Sequence, residues 1–424
     1  MLVQGKYRRG WSQKLLGRLP SQNREETTIW FHAVSVGEVL LLKSLIPELR
    51  EQYGELNIVI STTTHTGQDV ARTKYPDCTV CYCPLDFSWA VSRGLRRIQP
   101  DLLVLVELEL WPNLIRAASQ QQIPLAIING RLSEKSFNGY RKIRPVISSL
   151  LQRFQMIAVQ NETYASRFRK LGAGCEQVRV TGSVKYDQIT TDRNHPETQA
   201  LRDLFGFKDS ETVLIAGSTQ APEEAFVLQT YKTLKPAFPH LRLIVVPRHQ
   251  ERFEEVASLI ASHTLPFVRR SNLPRTPTEE VNSSKPDPII LLDTLGELGA
   301  CWGLADLAYV GGSLTNRGGQ NMIEPAAFGA TVMFGPNTHH FRDAVFLLKT
   351  AEAATVIPEG RNMTSVIQHF LENPDVAHKM GERARQAVLP QQGATQRTVN
   401  SLLSLLPKQQ KHAKNRGNAL KRAA

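Results

Sequence analysis

The stretch Ala305–Phe334, ADLAYVGGSLTNRGGQNMIEPAAFGATVMF, decides how the rest of the chain is read. Leu307 to Val310 is a short apolar run, which predicts a buried strand. Gly311 and Gly312 end it, and Gly318 and Gly319 lie side by side in the loop that follows. Asn321 with Glu324 three residues on has capping-box spacing, Asn standing for Ser or Thr, so a helix is expected from Asn321. Gly329 closes it, and Thr331 to Phe334 begins another strand. Glycines let backbone approach a ligand closely, and a helix start offers N–H groups to a phosphate. An ordinary strand–loop–helix turn with a cap carries the same pattern. The glycines do not fall as the GxGxxG dinucleotide fingerprint.

The same alternation extends outward. Val213 to Ala216 leads to Gly217-Ser218-Thr219, with a helix after Pro222. Leu241 to Val246 leads to Pro247-Arg248-His249, and a strand near Phe267 precedes a Pro-, Ser- and Asn-rich surface loop, Ser271 to Pro288. Ile289 to Leu292 ends at Asp293 and is followed by Leu295-Gly296-Glu297. Thr355 to Pro358 reads as the last strand, and helices fill the chain to Leu406.

Toward the N-terminus, Thr28 to Val34 reads as the first strand. Ser35-Val36-Gly37-Glu38 follows, then a helix to Tyr53. Glu38 therefore sits at a strand-to-helix turn, where parallel sheets place ligands. Compensation of a helix dipole would put a glutamate there too. Further strands are expected at Asn57 to Thr62, Val80 to Tyr82, Leu102 to Val106, Pro124 to Asn129, Ile157 to Val159 and Val178 to Thr181. Glu107 and Glu109 follow the Leu102 strand; on a continuing strand they would face one way, a costly arrangement unless a basic group meets them. A helix begins at Pro112, and a basic helical stretch runs from Arg141 to Arg153. Thr190 to Glu197 is polar and breaks the alternation, so it reads as a linker. The expected fold class is α/β with two doubly wound Rossmann-like domains, residues 1–190 and 191–400, followed by a helix end and basic tail over 401–424. Strand-end loops of the two halves facing across a cleft is the GT-B arrangement of sugar-nucleotide glycosyltransferases, an analogy at the level of fold.

Length supports more than one domain: 424 residues exceed one ordinary core. Lys and Arg number 51 against 39 Asp and Glu, a net +12 that favours an anionic partner. Residues 1–24 and 408–424 are basic, as solvated tails often are. A nucleic-acid binder would need a recognisable module or interleaved aromatics, and the sequence has neither. Cys78, Cys81 and Cys83 lie close together, but no second Cys/His cluster completes a zinc site, so they read as core residues in a reducing compartment. No apolar run approaches the ~20 residues of a membrane span. Trp11, Leu15, Leu16 and Leu19 fall on one helix side opposite Lys14 and Arg18, which fits an interfacial segment or a helix packing inward.

Seven motifs occur in order: SVGE at 35–38, ELWPN at 109–113, GRLS at 130–133, VQN at 159–161, GSVKYD at 182–187, VPRHQERF at 246–253 and GGSLTNRGGQN at 311–321. Together they resemble the 3-deoxy-D-manno-octulosonic acid (Kdo) transferase family of lipopolysaccharide synthesis, from about Lys6 to about Leu406. The resemblance implies a GT-B enzyme that moves Kdo from CMP-Kdo to the tetraacylated lipid A precursor, with inversion and with no metal or other cofactor. The first domain would bind the acceptor and the second the donor. It implies action at the cytoplasmic face of the inner membrane, against an anionic bilayer and with no nucleic-acid partner. Many members carry an N-terminal anchor; here peripheral attachment, or a true start further upstream, is expected. On the matching positions, Glu38 is the general base, and Glu107 and Lys185 stabilise the transition state. Pro247, Arg248, Leu295, Gly296, Glu297, Asn321, Met322, Ile323 and Glu324 would hold CMP. A carboxylate acting as base near neutral pH calls for only a modest rise in the pKa of Glu38. Met322-Ile323 replaces the family's Pro-Leu, Leu108 replaces a threonine, and Gln220 and Pro222 replace a histidine and a glycine. Another GT-B transferase or epimerase would share the architecture but not SVGE, ELWPN and GSVK together.

Overall fold

The computed structural model describes residues 10–22, 26–187, 189–274 and 287–407. The expected basic runs at 1–9 and 408–424, and most of the Ser271–Pro288 loop, lie outside the described residues. Two compact units are present: Met1–Asp187 with Gln392–Ala424, and Gln188–Gln391.

The first unit holds seven parallel strands: β1 Thr28–His32, β2 Asn57–Thr62, β3 Thr79–Tyr82, β4 Leu102–Val106, β5 Leu125–Gly130, β6 Met156–Val159 and β7 Val178–Val180. They are ordered β3-β2-β1-β4-β5-β6-β7. Because helices cover both faces, the inner strands are apolar on both sides rather than alternating. Trp30, Leu103, Leu105 and Ile127 enter the core on one face, and Ile29, Phe31, Val104 and Ile128 enter the other. The strand order reverses between β1 and β4, and such a switch point opens a crevice at the strand C-termini.

The second unit repeats the plan with β8 Thr212–Thr219, β9 Leu241–Pro247, β10 Phe267–Arg269, β11 Ile289–Leu291, β12 Leu307–Val310, β13 Thr331–Phe334 and β14 Ala354–Val356. Their order is β10-β11-β9-β8-β12-β13-β14, with the switch between β8 and β12. Its core gathers Leu214, Leu243, Val245, Tyr309 and Met333.

Three expectations change. The linker is tied down: Arg193 donates to the carbonyls of Phe328 (2.9 Å) and Ala305 (2.6 Å), and a helix begins at Pro196. The basic stretch Arg141–Arg153 splits into helices Glu134–Lys142 and Arg144–Leu151, the second opening with Pro145. The domain boundary is not at 400, because the helix Ala394–Leu403 belongs to the first unit. Ala394, Val399 and Leu402 join its core, the Asp187 carboxylate accepts the N–H groups of Gly393 and Thr395, and Arg397 donates to Thr181 O at 2.9 Å.

The cysteines are free; Cys81 and Cys83 are buried and Cys78 half-buried, and burial pushes the Cys81 thiol up to about 12. No group of three His, Cys, Asp or Glu that would hold a metal occurs among the described residues. No helix among them is long and apolar enough to cross a membrane. The N-terminal helix Trp11–Leu16 divides its expected apolar side: Leu19, just beyond it, is in the core, whereas Trp11 and Leu16 are exposed.

Candidate active site

Glu38 stands in the first turn of the helix Val36–Tyr53, directly after β1. Ser35 is the N-cap, extended at φ −117°, and its hydroxyl faces the Glu38 N–H. Glu38 reaches one residue past the cap to accept the Val34 N–H at 2.8 Å, and its other oxygen accepts the Ser35 hydroxyl at 2.8 Å. Only 8% of Glu38 is exposed. Burial drives its pKa from 4.5 to about 7, Ser35 and Val34 oppose the rise, and the charges of Glu109 and Glu107 add to it. That exceeds the modest rise expected, and it puts the carboxylate where a base works best near neutral pH.

Glu107 follows β4 across the switch point and meets Lys185 at 3.5 Å. The strand period does not continue through it, since Glu107 has φ +61°. The expectation that Glu107 and Glu109 share a strand face is therefore corrected. The left-handed residue turns the chain, Glu107 takes the lysine, and Glu109 accepts the Trp111 ring N–H at 2.9 Å. Burial raises the Glu109 pKa, the Trp111 N–H opposes this, and the Glu107 charge adds to it. Trp111 sits edge-on to His32, ring centroids 5.4 Å apart. His32 is fully buried beside Ser61, 2.9 Å away, and burial lowers it to about 4, so it stays neutral. Lys185 rides on the short turn Val184–Tyr186, held where the Val184 N–H meets the Asn129 side chain at 3.3 Å.

The nucleotide candidates lie in the second unit, at the ends of β9, β11 and β12. Arg248, exposed beyond Pro247, donates its backbone N–H to Thr219 O at 3.0 Å. Its charge opposes the rise that burial imposes on Glu324, as do the side chains of Asn321 and Trp302. Arg248 and Glu324 are thus within electrostatic reach of each other. Asn321 is not the N-cap: the helix is Ile323–Ala327 with Met322 at the cap and no side-chain cap bond. Instead the Asn321 side chain accepts the Ile323 N–H at 3.1 Å and donates to Glu324 at 2.9 Å. Met322 and Ile323 are buried. Leu295 is exposed and Gly296 has φ +91° with open space where a side chain would be. Glu297 is already engaged, by Arg270 at 2.8 Å and by the Thr294 hydroxyl.

One buried carboxylate escaped sequence reasoning. Glu223 is 0% exposed at the start of the helix Glu223–Leu234. One of its oxygens accepts from Ser313 N–H (2.9 Å), Leu314 N–H (3.0 Å) and the Tyr309 hydroxyl (2.8 Å). The other accepts from Gly312 N–H (2.7 Å) and Gln220 N–H (3.0 Å). Gly311 permits this approach, since a Cβ there would meet Glu223 at 2.8 Å. The N–H groups of the Gly312–Leu314 turn therefore hold an internal anion, not a free concavity for phosphate. The signal in the sequence was glutamate at a helix start, which a cap alone also explains.

Two parallel seven-stranded sheets, each with one switch point, make the GT-B fold. The chain is similar in fold to UDP-GlcNAc 2-epimerase of Neisseria meningitidis bound to UDP-GlcNAc, at TM-score 0.58 and 14% identity over 89% of this chain and 100% of that one. It is likewise similar to MurG of Acinetobacter baumannii, at TM-score 0.55 and 16% identity over 89% and 99%. Residues 9–188 match the family described as 3-Deoxy-D-manno-octulosonic-acid transferase (kdotransferase). The 3-deoxy-D-manno-octulosonic acid transferase of Haemophilus influenzae is 32% identical, over 88% of this chain and 86% of that protein. That of Bordetella pertussis is 31% identical over the same shares. The chain belongs to the 3-deoxy-D-manno-octulosonic acid transferase family of glycosyltransferases.

Proposed function

We propose that the chain transfers Kdo from CMP-Kdo to the tetraacylated lipid A precursor (lipid IVA) by inverting direct displacement, with Glu38 as general base. The observation that carries the base is the buried, doubly hydrogen-bonded Glu38 carboxylate, raised to about 7 beside the Glu107–Lys185 pair. An acceptor sugar hydroxyl would give its proton to Glu38 while its oxygen bonds to the anomeric carbon of Kdo. The bond from that carbon to the CMP phosphate breaks, and CMP leaves with the electron pair. Lys185, held by Glu107, supplies positive charge where the transition state is polarised. Arg248 and Glu324 would take the phosphate and the ribose hydroxyls of CMP. Pro247, Leu295, Gly296 and the backbone of Asn321, Met322 and Ile323 would complete that site, and Glu297 would serve it through its hold on the Thr294–Glu297 turn. The chain works peripherally at the cytoplasmic face of the inner membrane in this reading.

Incubation with CMP-Kdo and the tetraacyl precursor, followed by mass spectrometry, tests it. A Kdo-sized mass gain that vanishes in Glu38→Ala with the fold intact supports donor, acceptor and base together. Bound CMP with no transfer by the wild type would refute the acceptor.

A further inference from the structure

The first unit presents an apolar surface that no part of the transfer chemistry uses. The helix Trp11–Leu16 lies on the start of the helix Ser88–Ile98. Leu85 N–H donates to Lys14 O at 2.7 Å, the Trp89 ring N–H to Leu15 O at 3.1 Å, and Arg93 to Leu16 O at 3.2 Å. Gly17 packs so closely that a Cβ would meet Ala90 O at 2.0 Å. These bonds set two separate segments side by side and leave their large apolar side chains outward. Trp89 is 60% exposed, Trp11 47% and Phe87 42%, and Leu16 and Leu85 are exposed with them. Phe87 and Trp89 stack at 4.7 Å with their ring planes nearly parallel, and both are exposed. Scattered exposed apolar residues are ordinary, but a joined aromatic and aliphatic patch calls for a partner.

The charge around it selects the partner. Arg18, Arg93, Arg96 and Arg97 are exposed on the same two segments, and Lys14 is half-buried. Asp86 is the one acid among residues 10–22 and 83–100. Its carboxylate is turned inward, accepting the N–H groups of Asn113 (3.0 Å) and Leu114 (2.9 Å). Aromatic side chains ringed by arginine match the interface of an anionic bilayer, where indole sits at headgroup depth and guanidinium meets phosphate.

We infer that Trp11, Leu16, Leu85, Phe87 and Trp89 insert into the headgroup layer of an anionic bilayer while the flanking arginines bind its phosphates. This deepens the membrane-facing part of the proposed function by naming the surface and adding the Leu85–Trp89 segment to the N-terminal helix. Flotation of the full chain with phosphatidylcholine–phosphatidylglycerol vesicles, against pure phosphatidylcholine, tests it. No sugar donor is present, so failure here and failure of the Kdo-transfer reading are separate results. The wild type is expected to float with the anionic vesicles. Phe87→Ser with Trp89→Ser lowers the partition coefficient by about tenfold or more, and Phe87→Ser alone, which leaves the Trp89–Leu15 bond in place, lowers it less with thermal unfolding unchanged. Arg93→Gln with Arg96→Gln weakens anionic-vesicle binding by roughly fivefold per charge and has no effect on pure phosphatidylcholine. The inference is overturned if the wild type stays in solution, or if the Phe87/Trp89 variant floats as the wild type does. It is overturned equally if that variant abolishes a dimer in lipid-free sedimentation, which would make the patch a contact between two copies.

Discussion

Ser35-Val36-Gly37-Glu38 and Asn321-Met322-Ile323-Glu324 share one pattern, a small polar residue with glutamate three places on, and they fold differently. In the first, Ser35 caps an 18-residue helix and Glu38 reaches back to the Val34 N–H. In the second, the helix has five residues, Asn321 lies one place too early to cap it, and Glu324 bonds to the Asn321 side chain. Burial raises the pKa of both carboxylates. Around Glu38 the neighbouring charges, Glu109 and Glu107, are negative and add to the rise; beside Glu324 the neighbour is Arg248 and opposes it. The comparison teaches that a capping pattern does not assign chemistry. Burial dominates at both sites, and the neighbouring charges then separate them, like charges adding to the rise at Glu38 and Arg248 opposing it at Glu324.

The largest expected effect is on turnover. Glu38→Gln keeps the capping geometry but cannot accept a proton, so kcat should fall by about 10²–10⁴ with donor KM nearly unchanged. Glu324→Gln should do the reverse, raising donor KM by roughly tenfold with a smaller change in kcat, because a truncated polar contact is worth about 1.5 kcal/mol. Equal kcat losses in the two variants would erase the distinction between them.

Two further expectations concern pH. Wild-type kcat/KM should fall as pH drops through about 7, the point at which Glu38 takes up its proton. Ser35→Ala removes a hydrogen bond that favours the carboxylate, so this limb should move to higher pH; a shift to lower pH would contradict the assignment. Stability runs the other way. Because Glu38 binds its proton more readily folded than unfolded, native stability is lost as pH rises from 4.5 to about 7. Glu38→Gln should therefore match the wild type at pH 4.5 and exceed it at pH 8 by up to about 3 kcal/mol in denaturant titrations.

The smallest effect separates the two caps. Ser35→Ala should destabilise the first unit by about 1 kcal/mol. Asn321→Ala should cost less in stability than Ser35→Ala in parallel denaturant titrations, since Asn321 caps no helix.

Much of this was legible locally. The strands at Asn57–Thr62, Leu102–Val106, Leu307–Val310 and Thr331–Phe334 have the expected bounds, because a strand buried on both faces is a continuous apolar run with marked ends. Turn conformations were less so. Glu107 in the left-handed region looked like one more strand residue, and no motif singled out Glu223 as the group that fills the glycine turn.

By itself, the order of apolar runs, glycines and motif residues determined the two parallel α/β halves. Only the tertiary structure decided that Lys185 pairs with Glu107, that Glu223 fills the glycine turn, and that Gly393 returns to Asp187, 206 residues away, to complete the first unit. Periodicity records which face of an element is buried, a property of neighbours along the chain. Pairing and desolvation are summed over groups that only the folded chain brings together, and the proton affinity of Glu38 is such a sum.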